Sequence, residues 1–141
     1  ISKHKWQAIW SESTQSYYAA RTEHKPIKKM VRMHRHIMQT IGGMYCDHIN
    51  HNTLDNRKCN LRNVTNSQNL MNRSKENSNN KLGERCITRH SSGIGFQVQI
   101  MANGKNVYRK YFKTIESAIE ARDIAIREFH GVFAGGDTNK V

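Results

Sequence analysis

The sequence contains few acidic residues and no long apolar run. Only 11 of its 141 residues are Asp or Glu, against 23 Lys or Arg, which gives a formal net charge of +12. A surplus of this size indicates an anionic partner, with a polyanion as the leading candidate, although a merely soluble basic protein has the same balance. No run of about 18 apolar residues occurs, and no long basic amphipathic segment is evident, so we expect no membrane association.

Cysteine is scarce as well, with one residue each at positions 46, 59 and 86 and no C-x-x-C pair. An odd number of widely spaced cysteines argues against a disulfide framework and against a Cys-rich zinc site. One zinc alternative stays open, formed by Cys46, His48, Cys59 and a distant His, although its spacing fits no usual finger. No signal peptide is visible, and we therefore expect an intracellular, reduced protein.

Charge is distributed unevenly along the chain. Residues 1–81 contain 14 Lys or Arg and 5 Asp or Glu, whereas residues 82–141 contain 9 and 6. Residues 74–81 include no apolar residue, which is typical of a linker. We predict one domain at 1–73 and a second at 82–134, followed by a short tail at 135–141.

The first domain has the pattern of short strands and helices. Aromatic residues are enriched in its first two segments, and a polar turn lies between them. The predicted strands are 3–10, 16–22, 28–33, 44–49 and 61–65. The predicted helices run from 34 to about 41, where Gly42-Gly43 ends the first, and from 66 or 67 to about 75. The last part of this domain, from residue 44 onward, therefore reads strand, loop, strand, helix.

The second domain reads as three strands followed by one helix. The strands are predicted at 85–89, 95–101 and 106–112, and Asn103-Gly104 is a strong signal for a tight hairpin. Thr114 is suited to cap a helix over 115–129, and Gly131 is suited to end it. Since a three-stranded antiparallel sheet packed on one helix is an α+β unit, we predict the α+β class for the whole chain.

The segment from Asp47 to Asn72 contains the residue types that phosphodiester hydrolysis needs. That reaction requires a base to activate water, a divalent metal to stabilise negative charge, and cations to hold the phosphates. His48 can act as the base, because its usual pKa of about 6.5 is close to working pH. Asp47 and Asn69 offer the hard oxygen ligands that suit Mg²⁺. Taken alone, such residues are more often found in ordinary loops and caps.

Several separated strings strengthen this interpretation. They are Asp47-His48-Ile49-Asn50, Leu54-Asp55-Asn56-Arg57, Asn60-Leu61-Arg62, Ser67-Gln68-Asn69 and Asn72-Arg73, preceded by an LHR-like element at Met33-His34-Arg35. In order and spacing they closely resemble the HNH endonucleases of the phage and group I intron homing type. That family has a ββα-metal site, so the resemblance implies such a core at about 44–73, preceded by a small β-hairpin region.

The resemblance assigns a role to individual positions. His48 falls on the general base, and Asn60 falls on the residue that holds the intervening loop and so orients the base. Asp47 and Asn69 fall on the ligands of Mg²⁺, for which Mn²⁺ can substitute. The resemblance implies an endonuclease that nicks or cuts double-stranded DNA in the cytoplasm of a phage-infected or bacterial host.

The second domain carries its own set of strings. They are Gly95-Phe96-Gln97-Val98-Gln99-Ile100, Asn103-Gly104-Lys105, Tyr111-Phe112-Lys113-Thr114 and Phe129-His130-Gly131-Val132-Phe133-Ala134. They resemble the Apetala-two (ethylene-response-factor) type of DNA-binding domain that is often fused to phage HNH nucleases. The family's Gly-Val-x-Trp opening reads Gly83-Glu84-Arg85-Cys86 here, and Phe96 replaces a Trp. The resemblance implies a sheet that lies in the major groove with the helix behind it.

Candidate DNA contacts follow from both resemblances and from charge. They are His34, Arg35, Arg57, Arg62 and Arg73 in the first domain, and Arg85, Arg89, Gln97, Gln99, Arg109 and Lys110 in the second. Lys and Arg contacts to phosphate give salt-dependent affinity, whereas Gln97 and Gln99 can hydrogen-bond to base edges. Two alternatives remain: a DNA-binding regulatory module without catalysis, and an RNA- or ribosome-associated basic protein.

Overall fold

The computed structural model describes residues 3–73 and 80–134 of the chain. Within these ranges the chain forms eight strands in three antiparallel sheets, together with three α-helices. The α+β class predicted from the sequence is confirmed. Most of the predicted linker at 74–81, and all of the predicted tail at 135–141, lie outside the described residues. Over the described ranges, no helix is both long and apolar enough to cross a membrane.

The N-terminal sheet is followed directly by a short helix. It consists of β1 (Gln7–Ser11), β2 (Ser16–Glu23) and β3 (Lys29–Arg32), in the order β1-β2-β3, and the helix is α1 (Met33–Met38). In the β1–β2 hairpin, Trp10 lies opposite Tyr17 with ring centroids 4.9 Å apart, and such cross-strand aromatic pairs stabilise a hairpin. The first strand begins at Gln7 rather than at the predicted Lys3, because its pairing with β2 begins there. Helix α1 ends before Gly42, because Gln39 adopts a left-handed conformation.

A second hairpin precedes the second helix. It joins β4 (Tyr45–His48) to β5 (Leu61–Val64) through a loop that ends in a 3-10 turn, and α2 (Asn66–Met71) follows. The predicted order of strand, loop, strand and helix is confirmed, although α2 is shorter than expected. It ends early because the Arg85 guanidinium donates to the carbonyl oxygens of Leu70 and Met71, at 3.4 and 2.9 Å. Those carbonyls would otherwise accept from the next helical turn.

The C-terminal sheet packs against the longest helix. It contains β6 (Ile87–Arg89), β7 (Phe96–Ala102) and β8 (Lys105–Phe112), and the helix is α3 (Ile115–His130). The apolar side of the sheet and one side of α3 bury Ile87, Val98, Ile100, Ala118, Ala125 and Ile126. Thr114 caps the helix by accepting from the Ser117 N–H at 3.3 Å, and Gly131 is its C-cap, so both predicted helix ends are confirmed.

Two turns in this sheet depend on glycine. Asn103 and Gly104 both have positive φ, 51° and 74°, which is the backbone of the predicted tight hairpin between β7 and β8. Gly95, with φ of 81°, lies where the chain enters β7. A Cβ at position 95 would stand 2.5 Å from the carbonyl oxygen of Phe112, so the two backbones can pair only with glycine there.

Contacts divide the chain into two compact units, Ile1–Thr65 and Asn66–Val141. Helix α2 is grouped with the C-terminal elements, and the predicted domain limits at 73 and 82 remain predictions. The interiors of the two units differ. Buried apolar residues in the first unit are Ala20, Leu61 and Val64, and those in the second are Met71, Ile87, Val98, Ile100, Ala102, Ala118, Ala125 and Ile126.

Candidate active site

An acid and a histidine stand side by side where β4 ends. Asp47 and His48 are the last two residues of the strand, and they are only 9 % and 5 % exposed. Neighbouring strand residues point to opposite faces, so the two side chains have different surroundings. The chain turns away at once, with the His51 N–H donating to the carbonyl of His48 at 3.1 Å.

Three side chains surround the His48 imidazole. The ring of His34 lies edge-on at 5.0 Å between centroids, with an interplanar angle of 70°. The ring of Tyr18 lies 6.3 Å away. Nε2 of His48 also approaches Oδ1 of Asn56 at 3.4 Å, at the long end of hydrogen-bond distance. The imidazole is therefore bounded by two rings and one amide.

Burial favours the neutral form of both histidines. Desolvation lowers the pKa of His48, an effect only partly opposed by Asn56, Asp47 and Asp55. Desolvation, with the charges of His48, Arg32 and Arg35 acting in the same direction, lowers the pKa of His34 to about 4. A neutral imidazole can accept a proton, as a general base must.

Asn60 ties the intervening loop together. Its side chain is 7 % exposed. Its Oδ1 accepts from the backbone N–H of Asn50 at 3.0 Å, and its Nδ2 donates to Oδ1 of Asn50 and to the carbonyl of Asp55, both at 2.9 Å. The two bonds to Asn50 join the ends of the loop that follows His48, and the bond to Asp55 ties its middle to the same side chain.

Asp47 is paired with a cation. Nε of Arg62, its cross-strand neighbour, donates to Oδ2 of Asp47 at 2.9 Å. The Arg62 guanidinium is therefore paired with the carboxylate that we predict to bind the metal ion. The other predicted ligand, Asn69, is a partly buried residue of α2 and belongs to the second compact unit.

The predicted donor set is made of oxygens. In residues 3–73 and 80–134, no three His, Cys, Asp or Glu side chains gather so that they could hold a metal ion. The zinc alternative of Cys46, His48 and Cys59 is therefore not assembled. One carboxylate and one amide oxygen suit Mg²⁺, which commonly retains several waters and needs few protein ligands.

The predicted phosphate contacts of the first unit have unequal access to solvent. Arg35 is exposed on α1, whereas His34 is only 3 % exposed, and this burial argues against a phosphate contact. Arg57 is exposed but forms two bonds to the Asp55 carboxylate, at 2.8 and 2.7 Å. The Arg57 guanidinium, with help from Asn50, holds the pKa of Asp55 well below its usual range.

The predicted contacts of the second unit fall into three groups. Gln97 and Gln99 share one face of β7, joined by a 3.3 Å hydrogen bond, and Arg109 lies opposite Gln99 on β8. Arg89 and Lys110 lie opposite Phe96 and Val98 instead, on the face that carries the core. Arg85 is partly buried against α2, and Arg73 is exposed just beyond the end of that helix. The structure thus brings Gln97, Gln99 and Arg109 together.

Sequence reasoning missed Tyr18 as a neighbour of His48. Tyr18 is distant in sequence, and no motif marked it. Asn56 lies in the Leu54-Asp55-Asn56-Arg57 string, to which the resemblance gave no role at this position. Asp55 and Asn50 likewise proved to be partners of Asn60.

A comparison with curated proteins finds one relative along nearly the whole chain. The chain is 32 % identical over 140 residues to an uncharacterised HNH endonuclease of Acanthamoeba polyphaga mimivirus. The match covers 95 % of this chain and 67 % of the viral protein. No protein-family model matches the chain. No solved structure matches it either.

Proposed function

Because the chain belongs to the HNH endonuclease family, we propose that it is a metal-dependent endonuclease that hydrolyses phosphodiester bonds in double-stranded DNA. The observation that carries this proposal is the buried pair at the end of β4, where Asp47 adjoins a neutral His48. Neighbouring ionisable groups in a desolvated position are typical of catalytic sites. The net charge of +12 supports a polyanionic substrate.

In the proposed reaction, His48 removes a proton from the water that attacks the phosphate. Asn56 approaches Nε2 of the imidazole, and Asn60 fixes the loop that leaves His48. General-base catalysis of this kind contributes roughly a hundred- to ten-thousandfold in rate. Removal of the imidazole is therefore expected to slow cleavage at least a hundredfold.

Asp47 and Asn69 are the residues that would hold Mg²⁺, or Mn²⁺ in its place. The ion would stabilise the charge on the phosphate and on the leaving 3′ oxygen. Arg62 already neutralises the Asp47 carboxylate through the 2.9 Å ion pair, so a metal ion would compete with this guanidinium.

The C-terminal sheet is proposed to dock on DNA in the manner of an Apetala-two type domain, as part of a phage-encoded or homing-type nuclease. Support comes from the face that carries Gln97, Gln99 and Arg109, since α3 covers the opposite face. Amide side chains at this spacing suit base edges, and the guanidinium suits a phosphate or a guanine.

The test is cleavage of supercoiled plasmid and of bacterial genomic DNA, with Mg²⁺ or with EDTA. Wild type is expected to nick or cut in Mg²⁺ only, and His48→Ala is expected to be at least a hundredfold slower. His51→Asn is the matched control, because His51 is an exposed histidine of the same loop and Asn tolerates its positive φ of 63°. A wild type that shifts DNA in a gel but cuts in neither Mg²⁺ nor Mn²⁺ would instead indicate a binding module without catalysis.

A further inference from the structure

The N-terminal sheet brings a row of rings to His48. Tyr18 comes from β2 and His34 from the first turn of α1, and neither has a chemical step in the proposed function. Their centroids are 5.5 Å apart, and each ring also lies within 6.3 Å of the His48 ring. The three rings therefore contact one another in a triangle rather than in a line.

The geometry of this triangle favours fixed ring orientations. The interplanar angles are 52°, 54° and 70°, all far from parallel stacking. Aromatic pairs prefer tilted or edge-on arrangements at about 4.5–7 Å. The Arg32 guanidinium lies over the Tyr18 ring, 4.7 Å from its centre. Each ring is thus restrained by at least two neighbours.

The side chain of His34 contacts two rings, and one of its polar atoms lacks a hydrogen bond to any described residue. It is 3 % exposed, and its buried Nδ1 has no hydrogen-bond partner in the described part of the chain. A buried polar atom without a partner is unfavourable, so the burial of a histidine at position 34 calls for a reason other than stability. Its nearest ring neighbour is the imidazole of His48.

We propose that Tyr18 and His34 are positioning residues that hold the imidazole of His48 in its reactive orientation. The effect on catalysis that this inference predicts rests on the proposed function. The two rings oppose rotation of the imidazole about its bond to Cβ, because a rotated imidazole would collide with one of them. A displacement of about 1 Å can cost a hundredfold in rate.

The kinetic test compares alanine and phenylalanine at both positions. His34→Ala and Tyr18→Ala are expected to lower kcat about ten- to hundredfold while KM stays within about twofold. Phenylalanine at either position should restore most of kcat, since it keeps the ring. Matched controls are His36→Ala and Tyr17→Ala, which remove an exposed ring from the same helix and the same strand. Equal losses in the alanine and phenylalanine variants, or wild-type kcat in the alanine variants, would overturn the proposal.

A second measurement separates this inference from the proposed function. The ring signals of His48, assigned by their loss in His48→Ala, are followed by NMR in the full-length protein. They are expected to shift and broaden in His34→Ala and Tyr18→Ala, and to stay in place in His36→Ala and Tyr17→Ala. Unchanged ring signals in all four variants would refute positioning. A wild type that cuts no DNA would refute the proposed function alone, since the ring signals would still report the orientation.

Discussion

The two compact units of this chain have different interiors. In the first, the buried polar residues His34, Asp47, His48 and Asn60 outnumber the buried apolar ones. In the second, a continuous apolar cluster joins the sheet to α3, and the buried polar residues are Asn72 and His130. The first unit encloses the proposed catalytic pair, Asp47 and His48, whereas the second encloses a conventional hydrophobic core.

This difference indicates where each unit obtains its stability. Apolar burial contributes about 25 cal/mol for each Å² removed from water, and it needs no specific partner. Buried polar groups stabilise only when each one finds its hydrogen bond or ion pair. Among its described residues, the first unit meets that demand at Asn60 and at the Asp47–Arg62 pair, but not at Nδ1 of His34. Its stability should accordingly depend on single polar contacts and on pH.

Two optical signals can follow the units separately. Both tryptophans, Trp6 and Trp10, belong to the first unit, and the longest helix, α3, belongs to the second. Tryptophan fluorescence therefore reports on the first unit, and circular dichroism at 222 nm reports mainly on the second. Urea unfolding followed by both signals compares them in one sample.

The largest effect is expected from a truncation in the apolar core. Ile100 is fully buried in the cluster of the second unit. Ile100→Ala should lower the unfolding free energy seen at 222 nm by about 2–5 kcal/mol, with a smaller change in the fluorescence transition. Met101→Ala, at an exposed neighbouring position, should cost less than about 1 kcal/mol. A larger shift in fluorescence than at 222 nm would contradict the separate interiors.

Acidification should act on the first unit through His34. Its pKa is about 4 in the folded protein and about 6.5 in an unfolded chain. Since the folded state binds fewer protons, stability falls as pH falls from about 6.5 toward 4, by about 3 kcal/mol in the fluorescence transition. His34→Phe should remove that part of the pH dependence, and His36→Phe should leave it. If the stability of His34→Phe depends on pH as that of wild type does, His34 is not the source of the pH dependence.

A smaller loss is expected when the loop is released. Asn60→Ala removes three hydrogen bonds and leaves polar groups of Asn50 and Asp55 without a partner from this side chain. The free energy of unfolding of the first unit should therefore fall by about 2 kcal/mol. Asn52→Ala is the control, because Asn52 is exposed and bonds locally to the Leu54 N–H. The two variants are compared by urea unfolding monitored through tryptophan. Equal stability of both variants would show that Asn60 does not hold the loop.

Local sequence predicts most of the fold and part of the candidate site. Turn and cap residues act on their immediate neighbours, so Asn103-Gly104 and Thr114 could be placed before the structure was known. The adjacency of Asp47 and His48 is also a local property. The approach of Tyr18 to His48 is not, because it depends on how the N-terminal sheet packs. The early end of α2 likewise required Arg85, which lies beyond the predicted linker.

The close approach at Gly95 has a consequence for how this chain can vary during evolution. With a Cβ only 2.5 Å from the Phe112 carbonyl, position 95 admits no side chain while β7 and β8 stay paired. Gly93 also has positive φ, but nothing lies within 4 Å of a Cβ there, so Asn could replace it. Among homologues that retain this sheet, glycine should be invariant at position 95 and dispensable at position 93.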